Sequence, residues 1–90
     1  MNITKNGVYP ITPKNHRFSS GSVFSTGTQG AATLKLGYKD KNGTITELTD
    51  GSITIPEQKN VQHGQLADIV LTVTNADGST DFNVEYRGLI

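Results

Sequence analysis

Apolar and polar residues alternate one for one along much of the chain, and this period of two dominates every other pattern. In AATLKLGYK, Ala32, Leu34, Leu36 and Tyr38 fall on one face and Thr33, Lys35, Gly37 and Lys39 on the other, as in a half-buried strand. Asp40-Lys41-Asn42-Gly43 follows, and its Asn-Gly pair supplies the positive φ of a tight turn, so TITEL is expected to return as the partner strand of a hairpin. Thr49-Asp50-Gly51-Ser52 reads as a second turn leading into Ile53-Thr54-Ile55, which Pro56 ends because it has no ladder donor. The segment EQKNVQHGQ is polar, with Val61 as its one anchor, and reads as a longer crossing loop. Ile69, Leu71 and Val73 then share a face, Asn75-Ala76-Asp77-Gly78 turns the chain, and Phe82, Val84 and Tyr86 point inward, which predicts a second hairpin.

The first thirty residues are less regular. GVYPIT, which contains Pro10 and is followed by Pro13, suits an edge or an arm. Phe18, Val23 and Phe24 do not keep one parity, which predicts a bulge at Gly21, and Ser25 to Gly30 reads as a flexible loop. Helix is excluded by abundant β-branched residues and the lack of any capped i, i+3, i+4, i+7 apolar stripe. The pattern therefore predicts an all-β fold, a small antiparallel β-sandwich of six to seven strands, preferred over a barrel. An extended N-terminal arm is expected over residues 1–14 and a single sandwich domain over 15–90. Its expected core is Phe18, Phe24, Leu34, Leu36, Ile45, Ile53, Ile55, Ile69, Leu71, Val73, Phe82 and Val84. Gly88 breaks the last run, leaving Leu89 and Ile90 beyond it, either as a plug over the open end of the sandwich or as a contact with a neighbouring subunit.

Composition narrows the picture. A chain of 90 residues, 33% of them apolar, forms one domain with a thin core. It has no Cys, so no disulfide reinforces it, and association with other copies is expected. Eight basic and eight acidic residues cancel without forming blocks, which builds in no long-range attraction to nucleic acid or anionic lipid. The longest apolar run is Ile69-Val70-Leu71, and no signal-peptide pattern opens the chain, so neither secretion by a signal peptide nor a membrane span is expected.

Candidate chemistry is sparse. His16 and His63 lack the partners of a metal site, and Ser19, Ser20 and Ser22 near His16 lie in no nucleophile motif. Asp40-x-Asn42 and Asp77-Gly78 lack the rest of a calcium loop, and Gly27-Thr28-Gln29-Gly30 is followed by neither the Lys nor the helix of a phosphate cradle. No catalytic residue, cofactor or metal ligand is assigned, and the chain is expected not to be an enzyme. Tyr9, Tyr38 and Tyr86 offer a platform for sugar stacking, although two of them fall on inward faces.

Three stretches carry a family resemblance: ITKNGVYPI, LKLGYKDKNGTITELTDG and GQLADIVLTVTNADGSTDFNVEY. Together they resemble the small β-rich structural proteins of tailed bacteriophages, which decorate or cement a capsid or sit in head and tail. The resemblance implies a non-enzymatic virion protein that works by surface contacts with the major capsid protein or another virion protein. It also implies a homo-oligomer, a trimer by analogy, with the N-terminal arm making contact through Asn2, Ile3, Thr4, Val8, Tyr9, Pro10 and Ile11. Leu89 and Ile90 join that contact set. Two alternatives stand beside it: a head-tail or tail accessory module, and a glycan-binding sandwich domain.

Overall fold

The computed structural model of the chain describes residues 1–12 and 18–88. His16, Leu89 and Ile90 lie outside the described residues, as do the side chains of Phe18 and His63. The described chain is all β: β1 (Asn2–Ile3), β2 (Gly7–Pro10), β3 (Phe18–Thr28), β4 (Thr33–Lys39), β5 (Ile45–Ile53), β6 (Glu57–Thr74) and β7 (Asp81–Gly88). All pairings are antiparallel. β1, β7, β3 and the first part of β6 make sheet A, while β2, the second part of β6, β4 and β5 make sheet B. Because β6 runs through both sheets, the hydrogen-bonded path β1-β7-β3-β6-β4-β5 is continuous without closing into a barrel. The arrangement is sandwich-like, and its core lies where the two inner faces meet.

That core follows from parity. Sheet B contributes Leu34, Leu36, Ile53, Ile69, Leu71 and Val73; sheet A contributes Ile3, Val23, Phe82 and Val84, and Ala32 joins them from the connection before β4. All are buried. Tyr9, Tyr38 and Tyr86 pack against this cluster, and Ile55 covers it in part.

Several expectations are corrected. The N-terminal segment is not an arm, while the edge position expected as the alternative for GVYPIT holds: Asn2 and Ile3 pair with Asn83 and Phe82, and Gly7 to Pro10 form an edge strand on Val73 to Val70. Ile3 is 1% exposed, so apolar burial and ladder bonds hold this segment to the body of the domain. EQKNVQHGQ is not a loop but the first half of β6, paired with β3 from Gln62↔Ser20 to Glu57↔Ser25. It is polar because Glu57 and Lys59 are only half-buried and Gln58 and Asn60 are exposed, so neither face demands apolar residues. Ser25 to Thr28 belong to β3 and pair with Val84 to Asp81, which leaves only residues 29–32 as the loop. The irregularity in the β3–β6 ladder falls between Phe18 and Ser20, whose partners Ala67 and Gln62 are five apart, so the extra residues lie in β6. Gly21 sits in regular register opposite Val61 and Gly88, and its bare Cα leaves room for the Tyr86 ring, since a Cβ would lie 2.6 Å from that ring's Cζ.

The two predicted turns behave differently from a pair of hairpins. β4 and β5 do pair across Asp40–Thr44, where the Asp40 carboxylate accepts from the amides of Asn42 and Thr44, both at 2.9 Å. Thr49-Asp50-Gly51-Ser52, by contrast, is no turn but part of a bulge within β5. From Lys35 to Gly37 is two steps, whereas their partners Ser52 and Glu47 are five apart, so β5 carries three extra residues. An odd insertion switches faces. Ile45 therefore pairs with Lys39 on the outer face and is 38% exposed, while Ile53 lies in the core. Gly51 is required there, because a Cβ would lie 2.5 Å from the Leu36 carbonyl oxygen.

β6 and β7 do not form the expected second hairpin either. β7 pairs with β3 and β1, so the connection after Thr74 crosses from sheet B to sheet A. Asp77 organises this crossing. Its carboxylate accepts from the Ser79 amide (2.9 Å), the Ser79 hydroxyl (2.8 Å) and, across from the 29–32 loop, the Ala31 amide (3.0 Å). The Ser79 hydroxyl and amide hold the Asp77 carboxyl below its ordinary pKa.

Candidate functional site

The described contact residues nominated from sequence divide between two sheet edges. Asn2, Ile3 and Thr4 lie at the edge of sheet A; Val8, Tyr9, Pro10 and Ile11 lie at the edge of sheet B. Ile3 is buried, and Ile11 donates its amide to the Ile69 carbonyl at 3.0 Å. Tyr9 is half-buried, with its hydroxyl donating to the Lys5 carbonyl at 2.7 Å. Only Asn2, Thr4, Val8 and Pro10 of the described set are exposed. With all three tyrosines packed on the core, the tyrosine platform for sugar is not formed.

The more developed surface is the outer face of sheet A. β3 is central there, between β7 and the first half of β6, so its outward side chains stand in the middle of a sheet face. Register places Arg87 beside Ser22, Glu85 beside Phe24, and Asn83 beside Thr26. Ser22 and Phe24 are flanked on the other side by Asn60 and Gln58. Phe24, expected in the core, instead shares the parity of Ser22 and Thr26 and is half-exposed. The Arg87 guanidinium carbon sits 5.3 Å from the Phe24 ring centroid, a cation–π contact that fixes the ring from one side.

Beside Phe24 the surface opens into a hollow of about 380 Å³ lined by Phe24, Thr26, Asn83 and Glu85. Its flanks are tied down. At one end the Ser22 hydroxyl donates to the Asn60 side-chain carbonyl at 2.8 Å, and at the other the Asn2 amide donates to the Asp81 carboxylate at 2.8 Å. Between them, the side-chain polar groups of Thr26, Asn83 and Glu85 make no hydrogen bond or ion pair among the described residues. The main chain of β3 is paired with both β6 and β7 from Gly21 to Ser25, and with β7 alone from Thr26 to Thr28. Among the described residues no group of three His, Cys, Asp or Glu side chains is placed to hold a metal ion.

A second surface lies on the outer face of sheet B. Val8 at one edge and Ile45 at the other are 48% and 38% exposed, with Lys35 and Lys39 between them. Compared with known proteins, the chain matches no family model, no curated protein and no solved structure.

Proposed function

We propose that this chain is a structural protein of a bacteriophage virion, attached non-covalently to the major capsid protein or another virion protein. The sequence resemblance motivates the reading, and the observation that carries it here is the exposed apolar pair Val8 and Ile45 on the outer face of sheet B. Val8 and Ile45 stand at opposite edges of that face with Lys35 and Lys39 between them, so a partner would meet apolar contacts at both edges and charged ones in the middle. Binding to a repeated lattice lets a modest area per copy suffice, because neighbouring contacts add avidity. It also stabilises a thin-cored domain by mass action, since the lattice binds only the folded form. Self-association into a trimer, or into another closed ring, belongs to the same proposal.

Quantitative mass spectrometry of purified virions tests it. The expected result is a copy number comparable with that of the major capsid protein, lowered by Val8→Glu or Ile45→Glu with no matching fall in melting temperature. A stoichiometry of about six or twelve, as for a ring of closed symmetry, assigns the chain to the head-tail junction or tail instead. Absence from virions overturns the proposal.

A further inference from the structure

We infer that the hollow on the outer face of sheet A is a binding site for a neutral, polyhydroxylated sugar. This goes beyond attachment to a virion and uses the opposite face of the sandwich. Its lining includes Phe24, over whose ring the Arg87 guanidinium lies. An aromatic face fixed in this way suits the apolar face of a pyranose, which presents C–H groups to the π-system. Beside it stand a carboxylate (Glu85), a primary amide (Asn83) and a hydroxyl (Thr26), which together both accept and donate hydrogen bonds. Adjacent sugar hydroxyls need that mixture, because each is donor and acceptor at once.

Charge selects within that class. Among the described residues the lining carries one carboxylate and no cation, and the Arg87 guanidinium is engaged with Phe24. Sulfated, phosphorylated and carboxylated ligands are therefore disfavoured, and a neutral sugar is not. The volume of about 380 Å³ falls at the small end of the ~300–1,000 Å³ typical of small-molecule sites, which fits one or two sugar units.

The full chain, displayed multivalently on a glycan array of neutral gluco-, galacto-, manno- and N-acetylhexosamine oligosaccharides, provides the first test. The best binder is then titrated against isotope-labelled protein by NMR. Shifts are expected at Thr26, Asn83 and Glu85, and not at Val8. Phe24→Leu keeps apolar bulk but removes the ring face, and is expected to weaken binding about tenfold or more. Asn83→Ala, at an exposed position, is expected to weaken it about two- to tenfold with the fold intact. Val8→Ala is expected to leave it unchanged. The inference is overturned if no neutral sugar shifts these resonances at about 10 mM, a weak-affinity limit. It is also overturned if binding survives both Phe24→Leu and Asn83→Ala, or if only anionic glycans bind and raised salt abolishes it. Virion incorporation is unaffected by any of these outcomes, so the two readings fail separately.

Discussion

Replacing Ile3 by Ala separates a core strand from a loose arm. Ile3 is 1% exposed and sits opposite Phe82 in the β1–β7 ladder. The same ladder is extended by the Val84 amide, which donates to the Met1 carbonyl at 2.9 Å. Truncating a fully buried Ile removes its transfer free energy and leaves a cavity, at about 2–5 kcal/mol. β1 is short and at an edge, so it can relax into part of that space, and the lower half of the range, about 2–3 kcal/mol, is expected. A chain of this length holds roughly 5–14 kcal/mol in total at ~0.05–0.15 kcal/mol per residue. The loss is therefore a large share. In urea, with a slope of ~1–3 kcal/mol per molar, the midpoint is expected to fall by about 1–2 M. In calorimetry the melting temperature is expected to fall by roughly 10–20 °C. Val8→Ala is the internal control, because Val8 lies in the same N-terminal segment but is 48% exposed. Its cost is expected to stay below about 0.5 kcal/mol. If Ile3→Ala is as mild as Val8→Ala, the N-terminus does not belong to the core, and the pairing of β1 with β7 is refuted.

Two further perturbations test the irregular parts of the frame. Gly51→Ala drives a Cβ to 2.5 Å from the Leu36 carbonyl oxygen, a backbone atom that cannot swing aside, and is expected to cost about 1–3 kcal/mol in chemical denaturation. A neutral result would mean that the β5 bulge is absent. Asp77→Asn is expected to destabilise the chain at neutral pH, because the carboxylate is the acceptor that joins Ser79 to Ala31. The folded pKa is depressed, so this contribution is complete above the unfolded carboxyl pKa and is lost as pH falls through the folded value. Melting curves of the wild type and the variant should therefore converge in acid. A constant gap from neutral to strongly acid pH would show that Asp77 acts through something other than its charge.

Parity reasoning succeeds where a strand is unbroken and one face is dry. β4 and the second half of β6 meet both conditions, and there Leu34, Leu36, Ile69, Leu71 and Val73 are all where alternation puts them. It fails at β5 because three inserted residues reverse the faces, while the string Thr49-Asp50-Gly51-Ser52 has the same composition whether it turns the chain or bulges it. It fails in the first half of β6 for a different reason. Alternation is a burial signal, and a strand with Glu57 and Lys59 on its inner face has little to alternate, even though its ladder to β3 is regular. The missed crossing after Thr74 shows a third limit. Asn75, at φ 60°, and the Asp77-centred bonds bend the chain sharply, but a bend of that kind serves equally for a hairpin or for a passage between sheets.

The face proposed to bind sugar is masked in the sequence by the usual placement of large aromatic residues. Phe24 counted as core because large apolar residues usually are, although its neighbours of like parity, Ser22 and Thr26, are polar. The same mixture recurs on β7, where Asn83, Glu85 and Arg87 alternate with the buried Phe82 and Val84 and the half-buried Tyr86. A lone aromatic in a polar parity set, opposite another polar set that includes an arginine, is thus the readable trace of such a face. What the sequence does not contain is the register that puts Glu85 beside Phe24 and Asn83 beside Thr26, since β3 and β7 are separated by three other strands. Register is fixed by the inner face, where Val23 must meet Tyr86 and Ser25 must meet Val84. The packing of the core therefore determines which outer side chains are neighbours, and a change that slipped β7 by one residue would turn Glu85 inward and dismantle the hollow.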